Sequence, residues 1–396
     1  MTFLNRTAEL SFLNEKWETN EGQMIVLWGK RRVGKTELVK QFIAKKPHIY
    51  FVGESTSSRE QLKQLSGMMA SFFQEPLLAS RGFGDWSEIF QYLGHKKQRL
   101  VLVIDEFPYL LAAEPGIASV FQKGWDEHVR AAPIFLILLG SSIGMMESQV
   151  LGQRSPLYGR RTGQWRIEPL AFHHVRQFRP HASLADQLSH YAVAGGMPAY
   201  WLQFDTTRDI WQNLRGHVLA KGQYLYDEAE FILREELREP RFYFAILTAI
   251  SQGKRRLSEI VNATGLSSSM INKYLGILAD LHIVGRELPA TEAKPHKAKN
   301  GLYRIEDAFL QFWFRFIFPR RSLLEMGHLD NVLAEIRREW PMYLGGVYET
   351  VCAEMLRESS AQFFPFQRVG RWWSKNEEID LVAVNEEEKQ IGRAHV

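Results

Sequence analysis

At 396 residues the chain is long enough for two or three domains that each bury a core, and 45% hydrophobic with 24% charged residues excludes a disordered or fibrous chain. Its one cysteine, Cys352, cannot close an internal disulfide, no apolar run nears the roughly 18 residues that span a bilayer, and the opening residues lack a secretory pattern. A cytoplasmic protein without membrane insertion is expected, and 49 Lys and Arg against 45 Asp and Glu leave a net charge of only +4, which argues for nucleic acid only where the cations cluster.

Taken in chain order, Gln23 to Trp28 (QMIVLW) predicts a strand, followed by a glycine loop and a helix through LVKQFIAKK. Further apolar runs at His48 to Val52, Leu100 to Ile104 and Ile134 to Leu139 are continuous rather than alternating. That pattern suits strands buried on both faces of a parallel sheet, joined by crossover helices. From about Leu184 to Glu239 the pattern is helical and predicts a small lid. Phe242 to Leu288 then shows three short helices and a strand, the order of a winged helix-turn-helix, with Gly265 at the turn and Ser267 capping the recognition helix. From Gly301 onward aromatic residues dominate, and the stripe FLQFWFRFIF reads as buried core. The fold class is thus α/β, a P-loop parallel sheet with a helical lid, a winged helix and a partial restriction-endonuclease-like domain. The expected divisions are 1–180 for the core, 181–240 for the lid, 241–300 for the winged helix and 301–396 for the remainder.

The densest chemical signal is Gly29-Lys30-Arg31-Arg32-Val33-Gly34-Lys35-Thr36, which fits G-x-x-x-x-G-K-[ST] between a strand and a helix. Glycines let the backbone curl so that its N–H groups face a polyphosphate, Lys35 reaches the β and γ phosphates, and Thr36 ligates Mg²⁺. These residues call for ATP or ADP and a magnesium ion. The strand LVLVI runs into Asp105-Glu106, an acid pair in which Asp105 holds the metal and Glu106 polarises the attacking water. After the next strand come Gly140-Ser141-Ser142. Ser141 is either a polar sensor of the γ phosphate or a helix cap. Arg160 and Arg161, in YGRR, are either arginine fingers or solvated surface.

The order NR-x-x-EL at residues 5–10, GKRRVGKT, LVIDEFPYL, LGSS, PLYGRRTG and GGMPAYW resembles the archaeal-type P-loop ATPases related to the AAA+ and STAND classes. The later YRIEDAFLQFWFRFIFP and VGRWWSKNEEIDLVAV resemble the DUF234 region that accompanies them. This resemblance implies that Asn5 and Arg6 lie near an adenine. It also implies that Gly196-Met197-Pro198 contacts the base, which an ordinary interhelical turn would explain equally.

Residues 241–300 hold nine Lys and Arg (Arg241, Lys254, Arg255, Arg256, Lys273, Arg286, Lys294, Lys297 and Lys299) against four acids. Duplex DNA gripped through Lys254, Arg255 and Arg256 is therefore one expectation, and a protein-interaction module is the other. The second functional class is a slow STAND-like switch acting on a protein partner or a second copy of the chain. Glu349 on a helix and Asp380 on a strand open a restriction-endonuclease-like pattern. Glu387-Glu388-Lys389 matches the letters of the missing E-x-K, yet follows too closely and reads as a charged turn. Relatives place that motif on a further strand, and IGRAHV at 391–396 is what a common sequencing-library adapter would encode. A truncated domain with an unpaired sheet edge and no nuclease activity is expected.

Overall fold

The computed structural model describes residues 3–394 except 238, 293–297, 299, 361–364, 375–376, 386 and 388–389. The chain forms two compact units, Met1–Pro169 and Leu170–Val396. No described helix is long and apolar enough to cross a membrane.

The first unit is built on a five-stranded parallel sheet: β1 (Gln23–Trp28), β2 (His48–Val52), β3 (Leu100–Asp105), β4 (Ile134–Gly140) and β5 (Gly163–Arg166), in the order β2-β3-β4-β1-β5. Every residue of β1, β3 and β4 is buried, whereas edge strand β2 is only half-buried and β5 has no fully buried residue. Continuous apolar runs thus occupy the centre, where both faces are covered. On one face Met24, Val26, Ile49, Phe51, Leu102 and Leu136 pack against Leu62, Trp86, Phe90 and Phe121 from the crossover helices. The other face meets helices α1 (Thr7–Trp17) and α2 (Lys35–Ile43), where the Phe42 ring packs tilted at 5.3 Å from Phe135 and Trp17 lies edge-on to both. The chain runs outward from β1 to β2, returns through β3 and β4, and then crosses to β5. The order therefore reverses between β4 and β1, and a crevice opens at their carboxyl ends.

The second unit opens with helices that include Leu184–Ala194 and Tyr224–Glu236. Helices Pro240–Ser251, Leu257–Thr264 and Ser268–Asp280 follow, and then an antiparallel ribbon of β6 (Val284–Glu287) and β7 (Leu302–Ile305). This is the element order of a winged helix-turn-helix. Gly265 takes a left-handed conformation (φ 70°) at the turn, and the Ser267 hydroxyl accepts the Met270 N–H at the next helix start. The aromatic stripe is core: Phe309, Phe312, Trp313, Phe314 and Phe316 are fully buried. A 30-residue helix, Leu329–Glu358, precedes an antiparallel sheet of β8 (Arg368–Trp373), β9 (Glu378–Asn385) and β10 (Gln390–Ala394).

Two expectations are corrected here. The strand expected to be missing after IDLVAV is present: residues 390–394 form β10 and pair with β9 from Gln390↔Asn385 to Ala394↔Leu381. Of Glu387-Glu388-Lys389, expected as a charged turn, Glu387 is in a turn and Glu388 and Lys389 lie outside the described residues. Arg255, expected to grip DNA phosphates, folds back instead. Its Nη2 reaches Glu287 at 2.5 Å, its Nε donates to the Tyr303 carbonyl at 3.2 Å, and its own carbonyl accepts the Tyr303 N–H at 2.8 Å. It staples both ribbon strands to the preceding helix turn, where burial lowers its pKa. Lys254, Arg256, Lys273 and Arg286 remain exposed, while Lys294, Lys297 and Lys299 lie outside the described residues. Arg255→Ala is expected to cost about 2 kcal/mol, because Glu287 is left with the more distant Arg371 at 3.8 Å and the Tyr303 carbonyl loses its side-chain donor. Lys254→Ala stays within about 0.5 kcal/mol. Urea unfolding of the two variants checks the contrast.

Candidate nucleotide site

The loop of residues 29–36 leaves the carboxyl end of β1 and becomes the first turn of α2. Its shape depends on backbone conformations that side chains rarely adopt: Gly29 has φ 151°, Gly34 has φ 97°, and Arg32 has φ 68°. At Gly29 an added Cβ would lie 2.3 Å from the Ile167 carbonyl oxygen, so no other residue fits there. The Lys35 ammonium folds back over the loop and donates to the carbonyls of Gly29 at 2.9 Å and Lys30 at 3.0 Å.

Arg6 supports this loop from behind. It is 6% exposed, and its guanidinium donates to the Val33 carbonyl at 2.9 Å, the Glu168 carbonyl at 2.8 Å and Glu9 Oε1 at 2.9 Å. Asn5 and Arg6 both have positive φ where the chain enters α1. The N-terminal segment is thus tied to the loop itself, and Arg6 acts as a strut. The motif NR-x-x-EL carried this signal in its Arg6–Glu9 spacing.

At the ends of β3 and β4 the polar residues converge. Asp105, 5% exposed, accepts Thr36 Oγ1 at 3.0 Å and the Tyr50 hydroxyl on Oδ2, and the Glu106 N–H at 2.9 Å on Oδ1. Glu106 sits at φ 51°, a left-handed conformation that turns its carboxylate toward β4. There it accepts the Ser141 hydroxyl at 2.7 Å and, weakly, the Ser141 N–H at 3.4 Å. Burial and then Asp105 push the Tyr50 hydroxyl well above the usual phenol range, so it stays a donor. Thr36, Asp105, Glu106, Ser141 and Lys35 therefore form one cluster. Tyr50 belongs to it and went unnoticed in HIYFV because a lone tyrosine in an apolar strand looks like core.

Arg160 and Arg161 are not in this cluster. β5 runs parallel to β1 with Gly163 beside Ile25, and Thr162 is bonded to Met24, so both arginines stand at the amino end of the sheet. Five residues of strand separate that level from the loop, roughly 17 Å. Arg160 pairs there with Asp126 at 3.2 Å, and Arg161 donates to the Leu151 carbonyl at 3.3 Å. The assignment of either as a finger for this chain's own site fails on strand direction. Pro198 lies in the second unit, where it opens the short helix Pro198–Trp201 while the Gly196 carbonyl accepts the Leu170 N–H at 2.8 Å.

The donor set suits Mg²⁺. A hydroxyl and a carboxylate, both hard oxygens, are hydrogen-bonded to each other at the start of a helix whose loop has no side chain at Gly29 and Gly34. Magnesium takes one or two such protein oxygens together with phosphate and water. Glu349 and Asp380 meet elsewhere, lining a cavity of about 430 Å³ in the second unit with Arg255, Arg304 and Arg371. Burial raises the Glu349 carboxyl, Arg371 at 3.3 Å pulls it down, and Asp380 and Glu287 add to the rise.

A glycine loop between strand and helix, facing an acid pair across a parallel sheet, defines the P-loop ATPase class. The chain belongs to the family described as an ATPase domain predominantly from Archaea, whose model matches residues 3–204. DUF234, described as Archaea bacterial proteins of unknown function, matches 313–395, and a second domain of unknown function, DUF8612, matches 185–302. An uncharacterized protein of Methanocaldococcus jannaschii is 37% identical over 391 residues, 98% of this chain and 85% of its own length. An uncharacterized ATP-binding protein of the same organism is 52% identical over 44 residues, 11% of this chain and 75% of its own. Among solved structures, a Walker-type ATPase of Pyrococcus abyssi shares the fold at a TM-score of 0.56 and 20% identity, over 79% of this chain and 96% of that one.

Arg6→Ala is expected to lower stability by about 3 kcal/mol, because the buried Val33 carbonyl, the Glu168 carbonyl and Glu9 lose their donor together. Arg6→Lys recovers little, since one ammonium does not span the three acceptors. Chemical denaturation of both variants measures this.

Proposed function

We propose that the chain binds ATP with Mg²⁺ and hydrolyses it, using the nucleotide state to reposition its winged-helix module. The observation that carries this reading is the cluster in which Thr36 meets Asp105 and Glu106 meets Ser141 at the carboxyl ends of β1, β3 and β4. The backbone N–H groups of residues 29–36 and the start of α2 would cradle the phosphates, with Lys35 turning from the loop carbonyls toward the β and γ phosphates. Thr36 and Asp105 would hold the magnesium ion, which supplies charge neutralisation at the phosphates. Glu106 would take a proton from the attacking water, and Ser141 would hold Glu106 and sense the γ phosphate. We place Asn5 and Arg6 near the adenine, with Arg6 also bracing the loop through the Val33 carbonyl.

Exposed Lys254, Arg256, Lys273 and Arg286 on the helix-turn-helix and ribbon support contact with duplex DNA phosphates. The single cysteine and the absence of long apolar runs suit the cytoplasm. The reading as a nucleotide switch with a protein partner or a second copy has its own support. The Glu106 carboxylate is already engaged by the Ser141 hydroxyl at 2.7 Å, a contact that an attacking water would have to displace.

Phosphate release by the purified chain, with and without duplex DNA, tests the proposal. Lys35→Ala should lower turnover by about 100-fold or more, and Glu106→Gln should retain ATP binding while losing a similar factor. Equal turnover by wild type and Lys35→Ala would refute the ATPase assignment. Stimulation by DNA is the expected result, and stoichiometric ADP retention with negligible turnover would favour the switch.

A further inference from the structure

We propose that Tyr50 is a positioning residue for the divalent cation, acting by holding the Asp105 carboxylate; this rests on the nucleotide reading above. Tyr50 lies in the middle of edge strand β2. Its neighbours Ile49 and Phe51 bury themselves in the core of one sheet face, so strand alternation carries the Tyr50 ring to the other face, the one covered by α2. Register puts Tyr50 opposite Val103, two residues before Asp105 on β3. The phenol extends along the neighbouring strand and ends on the carboxylate.

Asp105 is held by three donors from three separate elements. Thr36 Oγ1 of α2 and the Tyr50 hydroxyl of β2 share Oδ2, and the Glu106 N–H takes Oδ1. The two in-plane lone pairs of Oδ2 are then used, and the orientation of the carboxylate plane is fixed before any cation arrives. Without the phenol, Oδ2 keeps only the Thr36 hydroxyl, the group that the cation itself would ligate. Part of the binding free energy would then go into ordering the carboxylate. The hydroxyl adds nothing to packing that a phenylalanine ring would not, because the ring lies against the half-covered edge of the sheet. What it adds is its bond to Asp105.

The test is a titration of Mn²⁺, a paramagnetic substitute for Mg²⁺, into the full chain saturated with ADP, with free Mn²⁺ read by electron paramagnetic resonance. ADP affinity without metal is measured in parallel. Tyr50→Phe is expected to weaken Mn²⁺ binding by about 10-fold or more, the usual cost of removing a residue that orients a metal ligand. Metal-free ADP affinity should stay within about twofold, and in an Asp105→Asn background Tyr50→Phe should cost no more than about twofold further, since its partner is already changed. Equal Mn²⁺ affinity in wild type and Tyr50→Phe overturns the role of Tyr50. So does loss of metal-free ADP binding in Tyr50→Phe, which would make the hydroxyl a general prop of the fold. A wild-type chain that binds no ADP overturns the nucleotide reading instead.

Discussion

The hydrogen bond from Thr36 to Asp105, 3.0 Å long and closing a separation of 69 residues, exists only because the strands of the first unit all run the same way. Parallel strands bring their carboxyl ends to one edge, and the residues that leave those ends meet there whatever their distance in the chain. β4 stands between β1 and β3, so the loop after β1, the acids after β3 and the serine after β4 arrive as neighbours. The same rule sends Arg160 and Arg161 away, since residues that precede a strand collect at the opposite edge. One geometric constraint therefore explains both which polar groups form the cluster and which do not.

Holding that cluster open requires backbone conformations that are unfavourable in isolation. Arg32 and Glu106 have left-handed φ values without being glycine, and Asn5 and Arg6 do as well at the entry to α1. Each costs on the order of 1 kcal/mol or more, and such residues persist only where their surroundings overdetermine them. Here the surroundings are three fully buried central strands and the Arg6 strut, whose guanidinium bonds the loop at Val33 and the segment after β5 at Glu168. Local strain near the phosphate loop is offset by burial elsewhere, which is the common arrangement for a preorganised site.

Much of this was legible in the residues. QMIVLW, LVLVI and IFLILL name the central strands because a strand covered on both faces has no polar alternation to maintain. The glycine loop is legible because its chemistry leaves few residue choices. What stayed hidden depended on register or on tertiary contact. Whether YGRR points at the nucleotide is decided by which end of β5 it precedes, and no local pattern records that. Tyr50 looks like one more apolar strand residue until β2 is placed beside β3. Arg255 sits among cations and reads as one more phosphate contact, yet Glu287 and the Tyr303 carbonyl, 32 and 48 residues away, draw it inward. The pairing of residues 390–394 with β9 was hidden for a related reason: a five-residue segment with one strong apolar side chain gains its strand character from the partner it meets.

The central claim is that residues 29–36, with Thr36 and Asp105, form a nucleotide-phosphate site. Calorimetric titration of the full chain with Mg-ADP tests it most directly. The account predicts saturable binding of one nucleotide per chain, abolished when Gly29 is replaced by valine, whose Cβ would strike the Ile167 carbonyl. No binding at millimolar nucleotide, or binding that survives Gly29→Val unchanged, would contradict it.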